Sequence, residues 1–255
     1  KYDCFIIDLW GVMHDGQALY PGVMQTMQKL KEMGKKVVFL SNAPRRASKV
    51  KAVLKKLGVT DDLYIDAVSS GEVAFHIIKE QNKSKYFYIG PEKDDDLLDG
   101  LNIKSTSAAE ADFCIATGFD NDSSTLEEKL PQIKEALAAK LKMYCVNPDF
   151  VVVRQDGTRM LCAGVIGQYY KEQGGDVEFI GKPYQQVYEH VLKLLSGKIL
   201  AIGDGPETDI KGANSANIDS ALVLGGILKA EKRPLDEVLK DAGANPTYIL
   251  QDFAW

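Results

Sequence analysis

Short apolar runs alternate with amphipathic segments in the first and last thirds of the chain. The runs are typical of strands buried on both faces, and they lie at residues 4–7, 37–40, 177–180, 198–202 and 221–224. Among the helical segments, one opens at Pro21 and ends at Gly34, and a Lys-rich one ends at Gly58. Strands that take turns with helices predict βαβ units around a parallel sheet, so we expect an α/β fold.

The middle of the chain has a different pattern. Apolar runs at residues 86–89 and 113–116 predict two more strands. The sequence Ser124-Thr125-Leu126-Glu127 has the spacing of a capping box and predicts a helix that runs to about Leu141. Farther along, Gln155-Asp156-Gly157 stands between two apolar runs, and its Asp-Gly step predicts a β-hairpin.

These two patterns divide the chain. We expect residues 71–175 to form a smaller α/β domain, inserted into an outer domain that residues 1–70 and 176–255 build together. The segments Ser69-Ser70-Gly71 and Gly174-Gly175 are interpreted as the linkers between the two units, because Ser and Gly are common where regular structure is interrupted.

Composition excludes several classes of partner. The 255 residues include 31 Lys and Arg against 36 Asp and Glu, and this balance argues against a nucleic-acid-binding protein. No apolar stretch approaches the roughly 18 residues that a membrane span needs, so we expect no membrane partner. The four cysteines contain no CxxC pair and predict buried free thiols in a reducing, cytoplasmic compartment: Cys4, Cys114, Cys145 and Cys162.

Polar residues follow several of the predicted strands directly. Asp8, Ser41, Lys182 and Asp204 each stand where a strand of the outer domain should end. One such residue is weak information, because an Asp after a strand often belongs to a turn. In a parallel sheet, however, ligands bind outside the carboxyl ends of the strands. We therefore expect these four side chains to meet in one site.

The chemical types of these residues agree with one another. Asp8 and Asp204 could hold Mg²⁺, which prefers carboxylates, water and phosphate oxygens. Asp209 could orient the waters of the metal, or it could simply favour a helix N-terminus. Ser41 could bind phosphoryl oxygens and Lys182 could neutralise their charge. A carboxylate nucleophile beside a cation and a lysine makes an aspartyl-phosphate mechanism plausible.

Four ordered motifs resemble those of the haloacid dehalogenase superfamily. They are Asp8-Leu9-Trp10-Gly11-Val12, Leu40-Ser41-Asn42, Gly181-Lys182-Pro183 and Gly203-Asp204-Gly205-Pro206-Glu207-Thr208-Asp209. The place of the insert, and Asn147-Pro148-Asp149 near its end, resemble class IIA, whose large α/β cap occurs in sugar, nucleotide and p-nitrophenyl phosphatases. The resemblance implies a Rossmann-like parallel-sheet core with a smaller inserted cap, which could pair two copies as a homodimer.

The resemblance also implies a role for each residue. Asp8 would be the nucleophile and a Mg²⁺ ligand, and Asp204 and the backbone carbonyl of Trp10 would complete the protein ligands. Asp209 would not bind the metal directly but would contact the groups that do. Ser41 and Lys182 would bind the transferring phosphoryl group, and Asn42 would position the substrate or the cap.

Trp10 departs from the family pattern. Phosphatases of the family carry a second Asp at this place as general acid and base, whereas an indole N–H is a donor only. His14 and Asp15 follow closely and could substitute, or they could be ordinary loop residues. Dehalogenases of the superfamily also have an aromatic residue here, but they use no Mg²⁺, whereas Asp204 and Asp209 indicate a metal.

We therefore expect a Mg²⁺-dependent phosphatase for a small phosphorylated metabolite such as a sugar phosphate or a nucleotide. Two alternatives stay open. One is a metal-independent, dehalogenase-like hydrolase, and the other is a degenerate member that binds phosphorylated ligands with little turnover. Tyr144, Asn147, Arg154 and Arg159 are suggested as substrate contacts from the insert.

Overall fold

The computed structural model describes residues 1–154 and 156–255, so Gln155 of the predicted hairpin turn lies outside the described residues. In chain order the strands are β1 (Cys4–Ile7), β2 (Lys36–Ser41), β3 (Asp66–Ser69), β4 (Lys85–Ile89), β5 (Lys104–Ser105), β6 (Phe113–Ala116), β7 (Met143–Val146), β8 (Val151–Val153), β9 (Arg159–Leu161), β10 (Val177–Ile180), β11 (Ile199–Gly203), β12 (Asp219–Val223) and β13 (Tyr248–Leu250). The α-helices are α1 (Val23–Glu32), α2 (Ala47–Lys56), α3 (Ser70–Lys79), α4 (Leu126–Ala138), α5 (Ala163–Glu172), α6 (Gln185–Leu192), α7 (Lys211–Ser215) and α8 (Leu235–Ala242). Shorter helical turns lie at Asp61–Leu63, Glu92–Leu98, Ala108–Glu110, Pro206–Ile210 and Gly226–Ala230.

The outer parts of the chain form a parallel sheet in the order β13-β12-β11-β1-β2-β3. Its apolar runs are continuous because both faces are covered. In β1, Ile7 lies in a hydrophobic cluster with α1 and α2, whereas Ile6 lies in another with α3 and α6. Phe39 and Val38 of β2 alternate in the same way. The expected α/β core with a parallel sheet is confirmed.

The middle of the chain forms a second parallel sheet, in the order β10-β7-β6-β4-β5. The predicted place of residues 177–180 in the first sheet is wrong, because β10 pairs with β7. A four-residue apolar run fits either sheet, and its pattern does not say which free edge it joins. The chain therefore returns to the first sheet only beyond Ile180. The division into domains at residues 70 and 175 otherwise stays a prediction.

The predicted linker Ser69-Ser70-Gly71 is also wrong, since α3 begins at Ser70 directly after β3. The hydroxyl of Ser69 accepts a hydrogen bond from the backbone N–H of Glu72 and caps this helix. From there α3 packs into a hydrophobic cluster that includes Leu40 of β2 and Tyr144 of β7. The two sheets are thus joined by a shared apolar layer, and not only by connecting segments.

Further local predictions have mixed outcomes. The hairpin is confirmed by the antiparallel pair β8–β9, in which Val152 faces Met160. The helix α4 is confirmed but the capping box is wrong: Thr125 is the capping residue, and it makes no side-chain capping hydrogen bond among the described residues. The four cysteines are buried free thiols, as expected. No helix within the described part of the chain is long and apolar enough to cross a membrane.

Candidate metal and phosphate site

The predicted site residues meet at the carboxyl end of the first sheet. Asp8 and Asp204 directly follow β1 and β11, which are neighbours, and Ser41 ends β2 on the other side of β1. The strand order switches direction at β1, which leaves a crevice for ligands at that point. Lys182 arrives from the second sheet, two residues after β10 ends. All four side chains are buried.

Three carboxylates lie at the centre of this site. Asp8, Asp204 and Asp209 each place an oxygen within 4.8 Å of the others. Burial raises the pKa of Asp8 to about 7, against the effect of Lys182, and burial together with Asp8 and Asp209 raises the pKa of Asp204 well above its ordinary value. Carboxylates buried this close together are unfavourable without a cation. The oxygen set suits Mg²⁺, a hard cation that takes carboxylate and water ligands.

Lys182 connects two of the carboxylates. Its ammonium Nζ lies 2.5 Å from Oδ1 of Asp8 and 2.7 Å from Oδ1 of Asp209. Burial alone would lower the pKa of Lys182, but the negative charges of Asp209 and Asp8 outweigh this effect and raise the pKa above its usual value. Lys182 is therefore a permanent positive charge beside Asp8.

Asn42 connects the first sheet to two loops of the second. Its Oδ1 accepts from the backbone N–H of Lys182 at 2.6 Å, and its Nδ2 donates to Oδ1 of Asp149 at 2.8 Å. Burial raises the pKa of Asp149 to about 6, although Lys182 and Asn42 act in the opposite direction. Asp149 was not singled out as a site residue from the sequence. Its signal was available, because the polar loop 147–149 directly follows the buried strand β7.

Two glycines leave room for the side chain of Asp204. Gly11 and Gly226 have φ values of +87° and +51°, and a Cβ at either position would lie within 2.1 Å of Oδ2 of Asp204. That oxygen accepts a hydrogen bond from the backbone N–H of Ile227 at 2.7 Å. The carboxylate is thus fixed by backbone on both sides, in an arrangement that a residue with a Cβ would block.

The indole of Trp10 is engaged with the second unit. Its Nε1 donates to the backbone carbonyl of Val153 in β8, 2.9 Å away. The ring also meets the imidazole of His14 edge-on, with ring centroids 6.1 Å apart. The indole therefore contacts the insert and offers no acidic proton to a leaving group.

His14 and Asp15, the suggested substitute acids, both stabilise the loop after β1. His14 lines the cavity, and its Nδ1 accepts from the backbone N–H of Gly16 at 3.0 Å. Burial lowers the pKa of His14 to about 4, so the imidazole is neutral at pH 7. Oδ1 of Asp15 accepts from the backbone N–H groups of Gln17 and Ala18, each at 2.9 Å. These contacts are those of a structured loop.

A cavity of about 360 Å³ lies over Asp8, between the two sheets. Of the suggested substrate contacts, Asn147 and Arg154 line it. Tyr144 is instead buried in the shared hydrophobic cluster, where its hydroxyl donates to Gln81 at 2.8 Å. Tyr144 was a poor candidate because alternate residues of a buried strand point into the core.

Two family models match this chain. The model described as haloacid dehalogenase-like hydrolase matches residues 5–104, and a second, HAD-hydrolase-like model matches residues 179–255. The first range contains Asp8 and Ser41, and the second contains Lys182 together with Asp204 and Asp209. The chain belongs to the haloacid dehalogenase superfamily of hydrolases.

Relatives extend the similarity over both sheets. Sugar-phosphatase AraL of Bacillus subtilis is 28% identical over 242 residues, which cover 90% of this chain and 86% of that protein. The 4-nitrophenylphosphatase of Schizosaccharomyces pombe is 25% identical over 284 residues, covering 100% of this chain and 93% of that protein. A crystal structure of a haloacid dehalogenase-like hydrolase from Brucella suis superposes with a TM-score of 0.87 at 28% identity, covering 98% and 95% of the two chains.

Proposed function

We propose that the protein is a Mg²⁺-dependent phosphatase that acts on a small phosphorylated metabolite through an aspartyl-phosphate on Asp8. The observation that carries this proposal is the buried group of Asp8, Asp204 and Asp209, with the Lys182 ammonium 2.5 Å from Asp8. Relatives named for phosphate hydrolysis support it, among them D-glycerol 3-phosphate phosphatase of Mycobacterium tuberculosis. A structure of the mycobacterial glycerol phosphate phosphatase has been solved in complex with magnesium.

The residues present fit the cation and the phosphoryl group. Asp8, Asp204 and the backbone carbonyl of Trp10 would hold Mg²⁺, and Asp209 would orient its waters. When bound, the cation supplies charge that stabilises the phosphoryl oxygens. The Ser41 hydroxyl, which accepts from the backbone N–H of Ala43 at 3.2 Å, keeps its own proton for a phosphoryl oxygen.

The proposed reaction has two displacements at phosphorus. A carboxylate oxygen of Asp8 forms a bond to phosphorus, the bond between phosphorus and the leaving oxygen breaks, and that oxygen takes up a proton from solvent. Water then attacks the aspartyl-phosphate, releases inorganic phosphate and restores the carboxylate. Lys182 stays protonated throughout and binds negative charge as it develops.

Phosphate release from a library of phosphorylated metabolites, measured with and without Mg²⁺, tests this function. Asp8→Asn should abolish release while the fold is retained, because an amide is a poor nucleophile. Asp204→Asn should mainly weaken the binding of Mg²⁺, so that excess Mg²⁺ restores part of the rate. If Asp8→Asn released phosphate at the wild-type rate, Asp8 would not be the nucleophile.

Two further measurements separate the alternatives. Release of halide from haloacids without a metal would favour the dehalogenase-like hydrolase. Tight binding of phosphorylated ligands without release of phosphate would favour the degenerate member. The Asp204 and Asp209 carboxylates, which lie within 4.8 Å of Asp8, favour the metal-dependent reaction over both.

We propose that the inserted unit pairs two copies of the chain, which the molecular mass in solution would test. We propose a cytoplasmic location, with which four buried free thiols are compatible. We propose that residues 1–70 and most of 176–255 form the core and that the rest form the cap, with β10 counted in the cap because it pairs with β7.

A further inference from the structure

Trp10 makes a contact that its place in the sequence does not predict. The indole Nε1 donates to the carbonyl of Val153 at 2.9 Å, and Val153 is itself only 5% exposed. Trp10 stands two residues after Asp8, whereas Val153 belongs to β8 of the insert. We call β8 and β9 the roof strands, since residues of both line the cavity over Asp8. The hydrogen bond between Trp10 and Val153 thus joins the nucleophile loop to the roof strands.

The loop after β1 is shaped to hold the indole in this direction. Gly16 has a φ of +90°, and a Cβ there would stand 2.7 Å from the Trp10 ring. The imidazole of His14 packs edge-on against the same ring and is fixed by the N–H of Gly16. An aromatic ring confined in this way keeps its donor aimed at one acceptor.

The roof strands also contact a turn that forms a hydrogen bond with Asp204. β8 contacts the helical turn Gly226–Ala230. Within that turn the backbone N–H of Ile227 donates to Oδ2 of Asp204 at 2.7 Å. The roof strands therefore contact both the loop that follows Asp8 and the turn that hydrogen-bonds Asp204, and a shift of the roof strands would act on both.

We propose that Trp10 is a positioning residue whose indole N–H latches the roof strands over Asp8 and so limits the size of the leaving group that the cavity accepts. The space available is about 360 Å³, and lifting the roof strands would enlarge it. The latch is a statement about structure and does not depend on activity. Only its effect on leaving groups rests on the proposed phosphatase function.

The first test observes the latch in the wild-type protein. The chain has two tryptophans, Trp10 and Trp255, and the second is 64% exposed. Two indole N–H resonances are expected in a ¹⁵N-correlated NMR spectrum, and Trp255→Phe assigns them by removing one. The Trp10 proton should exchange with solvent much more slowly than that of Trp255. Equal exchange rates would overturn the latch without any need for a variant at position 10.

The second test releases the latch. Trp10→Phe keeps an aromatic ring but removes the donor, and loss of one neutral hydrogen bond should raise the opening of the roof strands about fivefold. Hydrogen exchange of peptides that cover residues 151–154 and 159–161 measures this, with Trp255→Phe as the matched control and near-UV circular dichroism as the check on folding. Unchanged exchange in folded Trp10→Phe overturns the proposal.

The third test concerns the leaving group. Phenyl and naphthyl phosphates have leaving groups of similar acidity and different size. Trp10→Phe should raise kcat/KM for the naphthyl ester relative to the phenyl ester several-fold, chiefly through KM. An unchanged ratio alongside faster exchange would overturn the size limit. Failure of the wild type to release phosphate from either ester would contradict the proposed function, while the exchange data decide the latch on their own.

Discussion

Residue 10 supplies no proton to a leaving group. The indole of Trp10 is bound to the carbonyl of Val153, and the neutral imidazole of His14 is a far weaker acid than a carboxylic group. Esters differ in how much this matters. A nitrophenolate leaves without protonation, whereas a sugar alkoxide is strongly basic. The wild type should therefore favour aryl and acyl phosphates over sugar phosphates.

Replacing Trp10 with a carboxylic acid tests this dependence. A positioned general acid contributes typically about 10²–10⁴ in rate. Trp10→Asp should thus accelerate hydrolysis of alkyl phosphates much more than that of p-nitrophenyl phosphate, provided that the carboxyl group reaches the leaving oxygen. Trp10→Phe is the control, because it also frees the roof strands but adds no acid.

A wild type with equal rates on alkyl and aryl esters would contradict the absence of a donor. The cavity would then contain the acid elsewhere, and His14→Gln, Asp15→Asn and Asp149→Asn would identify it. Among the three, Asp149 has a carboxyl group whose pKa is raised by desolvation, to about 6. Folding of each variant has to be established first, since removing the indole can leave a cavity.

His14 should make the fold sensitive to acid. Its pKa is about 4 when folded and 6.5 when exposed, so below pH 6.5 the unfolded chain takes up a proton that the folded chain refuses. The stability that the neutral His14 contributes is fully present above pH 6.5. As the pH falls toward 4, the free energy of unfolding drops by about 3 kcal/mol because of this group. Denaturant unfolding of wild type and His14→Gln between these pH values measures the difference. Parallel pH dependences of the two proteins would contradict the assignment.

At the scale of elements, the four central strands of the first sheet were predicted from the sequence, whereas its edge strands β3 and β13 and the helix α3 were not. β1 and β2 are apolar on both faces, and a continuous apolar run indicates that directly. The helix α3 was mistaken for a linker because it begins with Ser70 and Gly71. Gly71 serves a tertiary contact, since a Cβ there would lie 2.4 Å from the backbone of Arg45. A close approach of this kind leaves no trace in local sequence.

The capping residues of α3 and α4 allow a matched comparison. Ser69 is fully buried. Its hydroxyl accepts a hydrogen bond from the N–H of Glu72 and donates one to the carbonyl of Arg45 at 2.6 Å. Ser69→Ala should lower the free energy of unfolding by about 1–2 kcal/mol. Thr125 holds the same position at α4 without a capping bond among the described residues, so Thr125→Ala should change stability by less than about 0.5 kcal/mol. Equal losses in thermal or denaturant unfolding would contradict this reading of the two caps.

At the scale of the whole molecule, the site could be predicted because a parallel sheet gathers strand ends that are far apart in sequence. Asp8, Ser41 and Asp204 follow from that rule alone. The geometry of Lys182 does not, since it reaches Asp8 from a strand of the other sheet. The contact of Trp10 with Val153 was equally hidden, because it depends on how the two sheets pack. The sequence pattern identifies which side chains meet at the edge of one sheet. Contacts between the two sheets can be found only from the folded chain.

Binding of Mg²⁺ should stabilise the molecule as a whole, because the ion neutralises carboxylates that the fold buries together. A ligand at about 100 times its Kd adds about 2.7 kcal/mol, which for a chain of this length is a rise in Tm of several degrees. Asp204→Asn should lose most of this rise. Its amide oxygen can still accept from the N–H of Ile227, so the variant without metal should melt no lower than the wild type. Thermal melts in EDTA, in Mg²⁺ and in NaCl of equal ionic strength separate specific binding from screening. A wild type that melts at the same temperature in all three would contradict the metal site and would favour the metal-independent hydrolase.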